Sequence, residues 1–404
     1  MCMDIQQFTG QLIVKNTRKI VLVVMDGVGG LPGDDGKTAL ERANTPNMDR
    51  LTVKSALGLT IPVFYGITPG SGPSHLALFG YDPVKHNIGR GVLEALGIGL
   101  ELTPRDVAVR ANFATVDENG IVLDRRAGRI PTEKNKELVN KLAESIKEID
   151  GIEVILRSGK EHRFVVVFRG DGLVDGLPDT DPQKEGKPIR VLEARTPDEE
   201  KTVWVVNEFS RKVREILKGE KPANACLLRG IAKHPHLPPM EKAFGVKPAC
   251  IATYPMYRGL ARLVGMDILP AGESLHDEVE CLKQHWDAYD FFYVHIKKTD
   301  SYGEDGNQSA KVKVIEEFDS LLPLILDLNP DVLVITGDHS TPAKLASHSW
   351  HPNPFLLYSP FVLGGTGRRF TERECITGEL GQFPAVFAIN LMLAHSLKLK
   401  KYGA

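Results

Sequence analysis

Apolar residues along this chain fall into two kinds of pattern. Three short runs are apolar at nearly every position, as strands buried on both faces of a parallel sheet are: Lys19-Ile-Val-Leu-Val-Val-Met25, Phe291-Phe-Tyr-Val-His-Ile296 and Val332-Leu-Val-Ile335. Each leads into an acid. The first delivers Asp26 into a turn of glycines (Gly27, Gly29 and Gly30), the second reaches Asp300 a few residues on, and the third passes through Thr336 and Gly337 to Asp338 and His339. Between these runs the spacing is helical. Thr45 stands as an N-cap before Pro46, Met48 and Leu51, and apolar positions recur at helical intervals from Val312 to Leu326. Alternating strands and helices predict an α/β fold with a mostly parallel sheet sandwiched by helices. Such a sheet gathers its strand-end residues along one edge, where ligands bind.

The middle of the chain reads differently. Strands over Val107 to Val116, Arg163 to Phe168 and Arg190 to Leu192, a helix over Lys134 to Ile149, and a Pro/Gly/Asp-rich stretch from Gly170 to Pro188 predict a smaller α+β unit. Because acidic strand ends lie on both sides of it, the predicted organisation is an α/β core of residues 1–104 and 245–404. An inserted α+β domain over 105–244 interrupts it, with His234-Pro-His-Leu-Pro-Pro239 as the connector back. No internal repeat or low-complexity tract is evident.

Composition narrows the partners. With 404 residues, at about 150 per domain, two or three packed units are expected. The 42% hydrophobic share excludes a disordered chain. Fifty Lys and Arg balance 52 Asp and Glu for a formal charge of −2, so no bulk positive field draws the chain to nucleic acid or an anionic membrane. No apolar run approaches the roughly 18 residues that span a bilayer, and no basic-then-apolar leader opens the chain. The expectation is a cytoplasmic protein without nucleic-acid or membrane partners, its oligomeric state open. Its five cysteines (Cys2, Cys226, Cys250, Cys281, Cys375) are scattered and read as reduced thiols.

Asp26, Asp300, Glu304, Asp338, His339 and His348 form a set of carboxylate and imidazole donors suited to divalent Mn, Zn or Mg, with enough ligands for two ions. The structural alternative is that each Asp caps the turn after its strand and that His348 is an ordinary satisfied histidine. Thr68-Pro-Gly-Ser-Gly-Pro-Ser-His75 opens into an apolar helical run, which puts Ser71 near a helix N-terminus suited to phosphate. A hydroxyl beside a divalent cation loses its proton more readily, so Ser71 is a candidate in-line nucleophile. Ser74, directly before His75, is the better N-cap by position. In the inserted unit, Arg110, Arg125, Arg126, Arg129, His162, Arg163 and Arg229 are candidates to hold a small anion, with solvated surface charge as the alternative.

Taken together, Met25-Asp-Gly-Val-Gly, Ala43-Asn-Thr-Pro-Asn-Met-Asp49, Pro69-Gly-Ser-Gly, Gly80-Tyr-Asp-Pro83, Gly89-Arg-Gly-Val-Leu-Glu-Ala-Leu-Gly97, Asp124-Arg-Arg-Ala-Gly-Arg129 and Thr336-Gly-Asp-His-Ser-Thr-Pro342 resemble the archaeal-type, cofactor-independent phosphoglycerate mutases of the alkaline phosphatase superfamily. The resemblance runs from about residue 19 to residue 395. It implies interconversion of 3-phosphoglycerate and 2-phosphoglycerate through a phosphoserine at Ser71, with two divalent ions and no bisphosphoglycerate. It also implies that Asp26, Ser71, Asp338 and His339 hold one ion, and that Asp300, Glu304 and His348 hold the other. Asp124, Arg125, Arg126, Arg129, Arg110, His162 and Arg163 would grip the substrate, with Asp124 able to deprotonate its hydroxyl. One departure stands out: the family usually has Asp-x-x-x-His where this chain has Asp300-Ser-Tyr-Gly-Glu304. A carboxylate there favours harder ions over Zn. A phosphohydrolase or phosphonate-processing enzyme of the same superfamily, or a binding protein with a degraded second metal site, are the alternative readings.

Overall fold

The computed structural model describes residues 5–86, 88–235, 237–364 and 369–403, so Cys2 and the connector residue His236 lie outside the described residues. Along the chain the strands are β1 (Ile20–Met25), β2 (Ser55–Ile61), β3 (Asp106–Val116), β4 (Val122–Asp124), β5 (Glu148–Ile149), β6 (Ile152–Ser158), β7 (Arg163–Arg169), β8 (Ala225–Lys233), β9 (Pro248–Ile251), β10 (Asp267–Ile268), β11 (Phe291–Ile296), β12 (Val332–Thr336), β13 (Asn353–Tyr358) and β14 (Gly381–Pro384). The chain divides into two compact units, residues 1–87 with 237–404, and residues 88–236.

The outer unit is a mixed α/β structure. Its eight strands run in the order β10-β9-β11-β1-β12-β13-β2-β14, mostly parallel, with β13 antiparallel to both neighbours. β1 lies between β11 and β12, parallel to each, with Val24 in register with His295 and Thr336. All six residues of β1 are fully buried, which is why its sequence carries no polar position on either face. Helix Gln308–Leu326 covers this core with Val314, Ile315, Phe318, Leu322 and Ile325, each contributing about 1.5–3 kcal/mol on burial. It starts four residues before Val312 because the Asn307 side chain caps the Ala310 N–H.

The inner unit is an antiparallel sheet, β4-β3-β7-β6-β5 with β8 also paired to β3, and its core includes helices Thr132–Ser145 and Glu200–Ile216. Helix Arg90–Gly97 packs on β3 and β8, so the unit begins well before residue 105. Two elements differ from expectation. The helix expected to reach Ile149 ends at Ser145, because Asp150 and Gly151 turn with positive φ and pair β5 with β6. Residues 190–192 form no strand: the Arg190 N–H donates to Thr180 O and the Leu192 N–H to the Asn207 side chain, so they run as a pinned loop. Helix Glu200–Ile216 went unread in the sequence although Val203, Val206, Phe209 and Val213 are buried at helical spacing.

Among the described residues no helix is long and apolar enough to cross a membrane. Cys226, Cys250, Cys281 and Cys375 are unpaired and buried.

Candidate active site

The carboxyl ends of β11, β1 and β12 are adjacent, and the residues that follow them converge. Asp26 follows β1 directly, Asp338 and His339 follow β12 after Gly337, and Asp300 sits in the short helix Lys298–Glu304 beyond β11. His339 Nε2 lies 3.3 Å from Asp26 Oδ1, 3.3 Å from Asp338 Oδ2 and 3.9 Å from Asp300 Oδ1. Two overlapping groups result, Asp26 with Asp338 and His339, and Asp300 with His339 and His348, the donor atoms of each lying within 4.8 Å of one another. The His348 ring stacks on His339 at 3.7 Å between centroids, and His348 Nε2 lies 3.5 Å from Asp300 Oδ1 and 3.7 Å from Glu304 Oε1. Glu304 thus stands at the solvent margin of the second group.

The donor chemistry fits divalent cations. Asp26 Oδ1 and Asp338 Oδ2 are buried and accept no hydrogen bond, an arrangement that is costly for a carboxylate unless a cation faces it. Burial opposes ionisation of Asp26, but the close imidazoles of His295 and His339 and the charge of Lys297 hold its carboxyl well below the usual range. Burial likewise opposes charge on His339, yet Asp338, Asp26 and Asp300 raise the imidazole to about 9. The pocket therefore stabilises positive charge at the point where Nε2 projects.

Ser71 meets this charge. It is the first residue of helix Ser71–Leu78, behind Gly70 as N-cap, and its Oγ lies 3.2 Å from His339 Nε2. Ser74 is not the cap: it lies one turn inside, donating its hydroxyl to Gly70 O. The helix starts before Pro73 because a proline in the first turn removes only an N–H that has no partner there.

Several residues of the site escaped sequence reasoning. Lys297 Nζ donates to Asp26 Oδ2 at 3.0 Å and Asp300 Oδ2 at 2.5 Å, linking the two groups. Burial disfavours its charge, but Asp26 and Asp300 hold its pKa above the ordinary lysine value. Tyr257 donates its hydroxyl proton to Asp26 Oδ2, His295 Nε2 lies 3.3 Å from the same oxygen, and His75 Nδ1 is 3.1 Å from Asp338 Oδ2. Lys311, fully buried, donates to the carbonyls of Gly27 and Thr341 at 2.7 and 2.9 Å. Two of these left a signal: His295 is an imidazole inside a fully buried strand, and Lys311 occupies a core position of its helix.

In the inner unit, Arg110 on β3 faces Arg229 on β8 in direct register, and Arg163 begins the neighbouring β7. Burial lowers the Arg110 guanidinium, with Glu94 opposing and Arg163, Arg229 and Arg90 adding repulsion. Burial, aided by the charges of Arg163, Arg126 and Arg110, pushes buried His162 down to about 4, so it is neutral at pH 7. Nε atoms of Arg110 and Arg163 are buried and donate no hydrogen bond, which leaves donors for an anion, whereas Arg229 Nε lies 3.5 Å from both Asp179 Oδ2 and Asp181 Oδ2. Other members are engaged elsewhere. Arg125 pairs with buried Asp181 at 2.7 Å, and Arg126 and Arg129 are exposed. Asp124 accepts the N–H groups of Arg126 and Gly128 at 2.7 and 2.5 Å, shaping the loop that carries them.

Comparison with known proteins is consistent across sequence and structure. A family model described as 2,3-bisphosphoglycerate-independent phosphoglycerate mutase matches residues 53–224. An Aquifex aeolicus protein named as a probable 2,3-bisphosphoglycerate-independent phosphoglycerate mutase is 58% identical over 402 residues, covering 98% of this chain and 99% of its own length. Among solved structures, a Pyrococcus horikoshii protein aligns with a TM-score of 0.82 at 31% identity, over 96% of this chain and all of that one. The cofactor-independent phosphoglycerate mutase of Thermoplasma acidophilum aligns with a TM-score of 0.74 at 30% identity, over 94% of this chain and all of that one.

Proposed function

Because this chain belongs to the family of 2,3-bisphosphoglycerate-independent phosphoglycerate mutases, we propose that it interconverts 3-phosphoglycerate and 2-phosphoglycerate by passing the phosphoryl group through Ser71, with no added bisphosphoglycerate. The observation that carries this reading is the position of Ser71 Oγ, at a helix N-terminus and 3.2 Å from His339 Nε2, beside carboxylate oxygens that accept no hydrogen bond.

Two divalent ions fit the reading. Asp26, Ser71, Asp338 and His339 would hold one, and Asp300, His348 and Glu304 the other. Bound there, cations supply charge that favours the serine alkoxide and offsets the phosphoryl oxygens. In the forward direction Ser71 Oγ gives its proton to solvent and attacks phosphorus: the Oγ–P bond forms, the bond from phosphorus to the 3-oxygen breaks, and the 3-oxygen takes up a proton from the acid–base partner. Glycerate stays bound, with Arg110 and Arg163, whose Nε atoms donate no hydrogen bond, as the groups best free to hold its carboxylate. The 2-hydroxyl then passes its proton to the acid–base partner and attacks phosphorus, the Oγ–P bond breaks, and Ser71 Oγ takes a proton back from solvent. Asp124 serves as acid–base partner for the released hydroxyl, since each of its oxygens keeps a lone pair beyond the loop hydrogen bonds. Lys297, between Asp26 and Asp300, donates to both carboxylates and helps hold that of Asp26 ionised.

The test is direct. The purified chain with 3-phosphoglycerate, coupled to enolase without bisphosphoglycerate, yields 2-phosphoglycerate with Mn, Mg or Zn, and chelator stops it. Ser71→Ala loses turnover by at least roughly a thousandfold with its melting temperature kept. Stoichiometric phosphate release, or ordinary turnover by Ser71→Ala, would replace the mutase reading with a hydrolytic or a serine-independent one.

A further inference from the structure

The two ion-binding groups meet at one side chain that is not itself a ligand. Thr341 is fully buried, and its Oγ1 lies 2.6 Å from Asp300 Oδ1 and 3.0 Å from His339 Nδ1. A carboxylate oxygen accepts, so the hydroxyl proton goes to Asp300. The hydroxyl oxygen must then accept from His339, which makes Nδ1 a protonated nitrogen and leaves Nε2, facing Asp26, Asp338 and Ser71, as the position where a cation would replace a proton.

The residue is held at both ends of its backbone. The Thr341 N–H donates to Gly27 O and Gly29 O at 3.1 and 3.0 Å, and its carbonyl accepts from buried Lys311 at 2.9 Å. Glycines approach it closely: a Cβ on Gly303 would collide with Thr341 O, and one on Gly27 would collide with Thr341 Oγ1.

We infer that Thr341 is a positioning residue whose hydroxyl couples the two ion sites, so that filling one strengthens the other. The inference rests on the two-ion reading above. An ion drawing electrons from His339 Nε2 makes Nδ1–H a stronger donor, which makes the threonine hydroxyl a stronger donor to Asp300 and fixes that carboxylate for its own ion. Coupling of this kind is reciprocal. Partners that orient metal ligands from behind are worth roughly ten- to a hundredfold in ion affinity.

Calorimetric Mn titration of the full chain tests it. The wild type takes up two ions. Thr341→Val, which keeps the shape and loses the hydroxyl, binds each about tenfold or more weakly, and Thr341→Ser returns to wild-type affinities. Removing His348 (His348→Ala) weakens the remaining ion in the wild-type background and weakens it measurably less in Thr341→Val, because the hydroxyl link is gone while Lys297 and His339 still join the groups. Two ions bound by Thr341→Val at unchanged affinity would overturn this inference alone. A wild type that binds fewer than two would overturn the two-ion reading and the inference with it. Should Thr341→Val fail to fold, nitrogen NMR of the Zn-loaded wild type decides: His339 protonated at Nδ1 is expected, and protonation at Nε2 overturns it.

Discussion

Glu278 offers a calibrated test of the outer core. It lies on helix Leu275–Gln284, 3% exposed, and its Oε2 accepts no hydrogen bond. Burial, with the charges of Asp277 and Glu317 and against the opposing Lys298, raises its carboxyl from 4.5 to about 8. An acid whose folded pKa is raised costs stability once the unfolded chain ionises. The penalty is absent below about pH 4.5, grows between pH 4.5 and 8, and is constant above. At about 1.4 kcal/mol per pH unit, the penalty grows by roughly 3 to 4 kcal/mol from pH 5 to pH 8. Glu278→Gln removes the ionisation but keeps the shape. Its melting temperature relative to wild type should therefore climb by about 8 °C over that range, taking roughly 2 °C per kcal/mol for a unit of this size. Differential scanning calorimetry of both chains at matched pH values reads this directly, since all other titrations cancel in the difference. A difference that stays flat from pH 5 to pH 8 would mean that Glu278 finds an ionic partner or water, and the burial argument would fail. Lys298→Met, which removes the opposing charge, should steepen the wild-type penalty.

Three further outcomes are expected. Gly27→Ala places a side chain at φ +62°, against Thr341 Oγ1 and within 2.7 Å of Asp300 Oδ1. The conformation alone costs about 1–2 kcal/mol, and calorimetry should show weaker ion binding as well as a lowered melting temperature; unchanged ion affinity would refute the close packing. Glu304→His replaces a carboxylate oxygen near His348 by an imidazole and should shift ion preference from Mg toward Zn in competition titrations; an unchanged preference would place Glu304 outside the site. Arg110→Leu removes one of three clustered guanidinium groups and should raise KM for phosphoglycerate by roughly ten- to a hundredfold, with a smaller effect on kcat; steady-state kinetics with KM unchanged would remove Arg110 from substrate binding.

The parts of the fold legible in the sequence were those whose pattern is set by burial on both faces. β1, β11 and β12 are the central strands of a sheet covered by helices, so their composition betrays them, and the acids at their ends follow by topology. The less legible parts depend on contacts far along the chain. Tyr257 reaches Asp26 across 231 residues, and nothing near either residue announces the pair. His295 and Lys311 were visible as polar residues at core positions, a conflict between residue type and pattern that marks a functional neighbourhood. The reading of Ser74 as cap set the helix start at the apolar run, whereas the helix begins at Ser71 behind Gly70, a first-turn proline at Pro73 being tolerated. The pinned loop at 190–192 looked like a strand because short apolar segments resemble one another until their hydrogen-bond partners are known.

The place of β1 between β11 and β12 also bears on how the chain is made. Val24 must wait for Thr336, about 300 residues later, before its sheet is complete; at roughly 5–20 residues per second a ribosome needs on the order of 15 to 60 s to supply it. The inner unit is one uninterrupted segment and can collapse during that wait, while six consecutive apolar residues near the start stay unpaired. In a newly synthesised chain this strand is therefore exposed to association with other chains until the last third emerges.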